Sequence, residues 1–172
     1  MKEVRPTIFM GVPRIYEKIE EKMKALGASV GPIAKRISTW AKSKGFEHSM
    51  SIQNKDSAPF GYTLANFLIL KRIKDALGLD QAKILAFGAA PMKRSTHEYF
   101  LSLDMQILNF YGMSETAACE TICWKGRVKF DRAGQACPGT HIRIYNPKKQ
   151  KIGDVWIGGD PLNHFFPDGL VR

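Results

Sequence analysis

Lys83-Ile84-Leu85-Ala86-Phe87 and Gln106-Ile107-Leu108-Asn109-Phe110, with a helical stretch from about Lys93 to Ser102 between them, decide the fold. Both runs are short and apolar, the pattern of a buried strand. Strand, helix, strand in that order builds parallel strands joined by a crossover helix, so the chain reads as α/β.

Working upstream, Leu64, Phe67, Leu68, Ile73 and Leu77 recur at helical spacing, and Gly78 suits the helix end. Residues 45 to 60 are polar and read as a loop or insertion. Before them Pro32 opens a helix with Ile33, Ile37, Trp40 and Ala41 on one face. The first helix follows Gly11-Val12-Pro13 and carries Ile15, Ile19, Met23 and Leu26 to about Gly27; Thr7-Ile8-Phe9-Met10 reads as a buried strand. Downstream, Thr140 to Tyr145 alternates like a half-exposed strand, Asn146-Pro147 turns the chain, and Gly153 to Gly158 returns, making a C-terminal β-hairpin.

The 172 residues suffice for one domain with a core, and 44% hydrophobic with 24% charged residues excludes a disordered chain. The net charge of +10, from 26 basic and 16 acidic residues, suits an anionic partner, but the basic groups are scattered and read as a solvated face. No run approaches the ~20 apolar residues of a membrane span, and Met1 to Pro6 lacks the apolar core of a secretory leader. Three cysteines without CxxC spacing agree with a reducing compartment. Cys119 and Cys123, four apart, could share a helical face, and buried free thiols are the better reading than a zinc site. His48 and His164 fall in loops, His97 on a helix and His141 on a strand, with no Ser/Asp partner pattern near any of them.

Two turns carry chemistry. Gly88-Ala89-Ala90-Pro91-Met92 leaves a strand through small residues that let backbone approach a flat ligand, although an ordinary strand-to-helix turn would look the same. Tyr111-Gly112-Met113-Ser114-Glu115-Thr116 puts an aromatic, a tight turn, two hydroxyls and a carboxylate directly after the next strand. An aromatic covers a planar base, and hydroxyls beside a carboxylate fit a polyphosphate with its magnesium. Helix capping by Ser114 or Thr116, with Glu115 in the first turn, is the plainer alternative, and both can hold at once.

These two turns resemble the signatures of the adenylate-forming superfamily. Pro6 to Lys18, Ala65 to Leu70 with Ala76-Leu77-Gly78, and Gly134 to Thr140 resemble long-chain fatty acyl-CoA synthetases of the bubblegum type. The resemblance covers about residues 1–158, a partial AMP-binding domain, and residues 159–172 diverge. It implies part of the large N-terminal α/β domain, and activation of a long-chain fatty acid by ATP through an acyl-adenylate, with CoA then displacing AMP. It further implies that Tyr111 stacks on adenine and that Gly88, Ala89 and Ala90 line the adenine and acyl side. Gly112 and Met113 complete the nucleotide turn, Ser114 and Thr116 contact phosphate, and Glu115 holds magnesium. Glu115 and Thr116 are then the catalytic pair. A cytoplasmic enzyme, peripheral on the endoplasmic reticulum membrane and without nucleic acid, follows from the same likeness.

The family's Ser/Thr/Gly-rich phosphate loop has no counterpart here, and its ribose-binding aspartate, hinge arginine and C-terminal lysine would lie beyond residue 172. An internal fragment, inactive by itself, is the resulting expectation. A non-enzymatic truncated product with weak nucleotide binding is the alternative.

Overall fold

The computed structural model describes residues 1–114, 119–124, 126, 130, 132–145 and 154–159, the backbone alone for 143–145 and 154–159. Strand β1 (Ile8–Gly11) precedes helices α1 (Pro13–Ala28) and α2 (Pro32–Asn54). A helical rod follows, made of α3 (Tyr62–Ala65), a π-helical turn (Asn66–Leu70) and α4 (Lys71–Leu77). Then come β2 (Ile84–Phe87), α5 (Arg94–Ser102) and β3 (Ile107–Tyr111). Short strands β4 (Thr121–Ile122) and β5 (Gln135–Ala136) complete a sheet of order β1-β2-β3-β4-β5. The expected parallel pairs are present: Phe9 and Met10 face Leu85 and Ala86, which face Ile107 and Leu108. β4 and β5 join antiparallel, so the sheet is mixed. The expected hairpin is β6 (Thr140–Tyr145) with β7 (Asp154–Gly159), a separate antiparallel pair whose turn lies outside the described residues, as does the divergent tail from 160.

The register puts Phe9, Leu85 and Ile107 side by side on one face of the sheet. There Tyr16 from α1 and Phe100 and Leu103 from the α5 end close the main core with Phe87 and Met105. The buried Tyr16 hydroxyl donates to the Ala86 carbonyl at 2.8 Å, tying α1 to the middle strand. The opposite face holds a smaller cluster of Leu108, Cys123 and Phe110. On that side β1 is not the buried strand expected: Ile8 is 62% and Met10 61% exposed. β1 is the sheet's edge, paired only with β2, and its outer face has no cover among the described residues.

The polar stretch 45–54 is helix rather than loop, because α2 continues to Asn54. Its buried residues are Ala41, Gly45 and Ser49, a small-residue stripe at spacing four. A stripe so slim lets α2 lie close to the end of α5, where the Ser49 hydroxyl donates to the Leu101 carbonyl at 2.9 Å. A Cβ at Gly45 would stand 2.3 Å from the Ser102 carbonyl oxygen. The face expected to be buried is therefore outside: Ile33, Ile37 and Trp40 are exposed, and Ala41 alone of the four is buried. In the rod, Leu64 and Phe67 are likewise exposed, and Ala65 and Leu70 take the inward positions. The π-helical turn accounts for the displacement, since its wider winding shifts the apolar period. Gly78 ends the rod as expected, in the left-handed region at φ 71°, with its N–H on the Asp75 carbonyl at 3.0 Å.

His48 is a correction of both place and partner. It sits on α2, and its Nδ1 lies 2.7 Å from Asp104 Oδ1. The other Asp104 oxygen accepts from the Tyr62 hydroxyl at 2.8 Å and from Lys74 Nζ at 2.9 Å. The His48 ring stacks on Tyr62 with centroids 3.7 Å apart. No local spacing could show this, because the four residues come from four different elements.

Candidate active site

Phe87 and Asn109 are direct partners at the carboxyl ends of β2 and β3. The turns that follow, 88–92 and 111–114, therefore leave the sheet side by side, where open α/β sheets place their ligands. Between them lies a cleft of about 470 Å³, lined by Ala89, Ala90, Pro91 and Met92 from the first turn and Phe110, Tyr111 and Gly112 from the second. His97, Asn109, Arg132 and Ala133 complete the lining.

The first turn is held tightly. A Cβ at Gly88 would meet the Phe110 carbonyl oxygen at 3.0 Å, so a side chain there would press the turn off its neighbouring strand. Ala89 stands at φ 68°, in the left-handed region that a residue with a Cβ seldom adopts. Strain of this kind, of order 1–2 kcal/mol, persists only where the surroundings fix it, and here it turns the backbone into the cleft. Tyr111 ends β3 half-buried, with its carbonyl accepting the Glu120 N–H at 2.9 Å.

His97, on α5 as expected, packs beneath the cleft as a core histidine. Its Nε2–H donates to the Ile107 carbonyl at 2.9 Å, and its ring meets Phe87 and Phe130 edge-on. At the rim, Asn109 Nδ2 donates to the Arg132 carbonyl at 2.8 Å, and the exposed Arg132 is a cation at the mouth.

Of the residues singled out in sequence, Ala89, Ala90, Tyr111 and Gly112 line one cleft and Gly88 abuts it. Met113 and Ser114 are not among its lining residues, and Ser114 is exposed. Glu115 and Thr116 lie outside the described residues, so the magnesium contact falls there too. Among the described residues no three His, Cys, Asp or Glu side chains gather as a metal site. An aromatic ring opposite small residues across this cleft fits a planar base.

Sequence reasoning passed over Glu120. Its side chain is buried, the residue 2% exposed, and its Oε2 has no hydrogen-bond partner among the described residues. Burial pushes the carboxyl above the usual range. The folded chain then keeps a proton that the unfolded chain has released, so stability falls as pH rises from about 4.3 through that window. Glu120→Gln is expected to be more stable than the parent by about 1 kcal/mol at pH 7 and equal to it near pH 4. Urea denaturation at the two pH values measures the difference, and an equal gain at both would show that charge burial is not the cause.

A second cavity of about 490 Å³ lies between the helical rod, the end of α2 and the start of β2 and β3. Leu79, Ile84, Leu108, Ile122 and Trp124 supply apolar walls, and His48, Tyr62, Lys74 and Asp104 a polar corner. Phe110 borders both cavities.

The profile of the family described as AMP-binding enzyme matches residues 1–163. The chain is 39% identical over 160 residues to the long-chain-fatty-acid--CoA ligase ACSBG2 of Xenopus laevis, covering 92% of this chain and 22% of that protein. Its identity to the ACSBG2 ligase of Gallus gallus is 37% over 167 residues, 96% of this chain and 22% of that one. Among solved structures, a benzoate CoA ligase from Burkholderia xenovorans superposes with a TM-score of 0.50 at 18% identity, over 90% of this chain and 23% of its own. That likeness bears on the fold alone. With its two turns walling one cleft at the carboxyl ends of paired parallel strands, the chain belongs to the AMP-binding enzyme family, and it spans 22% of the length of these curated relatives.

Proposed function

We propose that the chain supplies the adenine-side cleft for ATP-dependent activation of a long-chain fatty acid, the acyl group passing next to CoA. One observation carries the reading: the turns after β2 and β3, separated by α5 in sequence, wall a single cleft. Tyr111 covers the base, the Ala89–Ala90 backbone borders it, and Ser114, Glu115 and Thr116 follow toward the phosphates. A magnesium ion held by Glu115 would offset charge on the leaving pyrophosphate. The apolar walls of the second cavity, Leu79, Ile84, Leu108, Ile122 and Trp124, with Phe110 shared with the cleft, support an acyl tail as substrate. Action in the cytoplasm, peripheral at the endoplasmic reticulum membrane, belongs to the same proposal.

The test is a transplant. Residues 1–158 replace the matching segment of a complete long-chain synthetase, and palmitate-dependent ATP–pyrophosphate exchange is measured. Exchange is expected in the chimera, and Glu115→Gln within it is expected to cut the rate roughly 10–100-fold while its melting temperature barely moves. A folded chimera without exchange would refute the proposal. Unchanged turnover with a lowered melting temperature would make Glu115 a helix-start residue instead. The chain by itself, lacking a Gly-rich phosphate loop, is expected to give no exchange above a heat-killed control.

A further inference from the structure

We propose that Cys119 and Cys137 are a peroxide-sensitive pair, closing into a disulfide that clasps the chain just beyond the cleft. This stands on geometry independent of the ligase reading. β4 and β5 pair Thr121 with Ala136 and Ile122 with Gln135, and the next rung outward is a bond from the Cys137 N–H to the Glu120 carbonyl at 2.7 Å. That rung sets Cys119 diagonally across from Cys137, with the two sulfurs 3.7 Å apart. A disulfide is ~2.0 Å long, so about 1.7 Å remains, a distance that side-chain rotation covers while the strand backbones stay in their ladder. Cys119 and Cys123 do not share a helical face. The two flank a strand, Cys119 is exposed rather than buried, and Cys123 is 3% exposed in the cluster with Leu108 and Phe110.

The oxidation balances. The thiolate of one cysteine attacks one oxygen of hydrogen peroxide, the O–O bond breaks, and the departing hydroxide takes up a proton as water. That sulfur is left as a sulfenic acid. The sulfur of the other cysteine then attacks it; the S–S bond forms, the S–O bond breaks, and the hydroxide leaves with the second thiol's proton as a second water. Two thiols are oxidised and one peroxide is reduced to two waters. The clasp bears on the cleft through one residue, because Glu120, between Cys119 and β4, bonds its N–H to the Tyr111 carbonyl.

The experiment uses the whole chain, reduced, freed of reductant and treated with stoichiometric hydrogen peroxide. Free thiols titrated after denaturation should fall from three to one. The intact monomer should lose about 2 Da, fragmentation of the linked tryptic peptides should place the bond on Cys137 and on Cys119, which shares its peptide with Cys123, and dithiothreitol should reverse all three. Cys119→Ser and Cys137→Ser are each expected to lose the link and to keep both remaining thiols from pairing with one another. Three thiols surviving, a link to Cys123, or a dimer as the sole product would each overturn the proposal.

Discussion

Replacing Gly45 by alanine is expected to lower the chain's stability by about 3 kcal/mol, the upper part of the range for overpacking. Alanine is the better helix former by ~1 kcal/mol, so propensity alone predicts a gain. Packing reverses the sign. The new methyl would sit 2.3 Å from the Ser102 carbonyl oxygen and 3.2 Å from Leu70 Cδ1. The oxygen is backbone at the end of α5, where the Leu101 carbonyl is already fixed by Ser49 and the Leu103 N–H by Phe100. Neither α5 nor α2 can retreat without opening that contact. Gly27→Ala is the control: no atom lies within 4 Å of a Cβ there, and the substitution is expected to stabilise α1 by up to about 1 kcal/mol. Melting temperatures of the two variants should move in opposite directions; a shift of the same sign in both would refute the close helix approach.

Asp104→Ala is expected to cost more, about 3–5 kcal/mol, the loss typical when one partner of a buried ion pair is removed. Three donors from three elements converge on this carboxylate, whose side chain is only 11% exposed. Its loss strands the Lys74 ammonium and the Tyr62 hydroxyl together. That hydroxyl is held protonated far above the usual phenol range, by burial first and then by Asp104, so it remains a donor even at alkaline pH. Asp104 also stands at φ 56°, which aspartate and asparagine tolerate better than alanine. Asp104→Asn keeps the backbone fit and one acceptor, and should cost about half as much. Chemical denaturation of both variants gives the order, and a loss below about 1 kcal/mol for alanine would mean the four residues bond without holding the helices together.

Local signals account for what the sequence revealed. The β2–α5–β3 unit is contiguous, so its periodicity and its two turns could be read directly, and the adjacency of the turns then follows from parallel pairing. The Gly78 cap was legible for the same reason. Gly45 misled because a glycine in a polar stretch usually breaks a helix, whereas here it marks where a second helix comes near. Asp104 and His48 are 56 residues apart, and Cys119 and Cys137 are 18 apart across a strand pair, so neither partnership follows from sequence spacing. The outward face of β1 was misread because an apolar edge strand and an apolar buried strand look the same in sequence.

The order of strands also says something about the sequence of events in folding. β2 and β3 are joined through α5 alone, a short closure, whereas β1 reaches β2 only after α1, α2 and the whole rod have intervened between Gly11 and Ile84. Closing that long loop costs more entropy and comes later. Both turns that wall the cleft belong to the early unit, and β1 contributes no residue to its lining. The cleft can therefore take shape before the sheet is complete, and β1 can fray and re-pair at the edge while the pocket keeps its form.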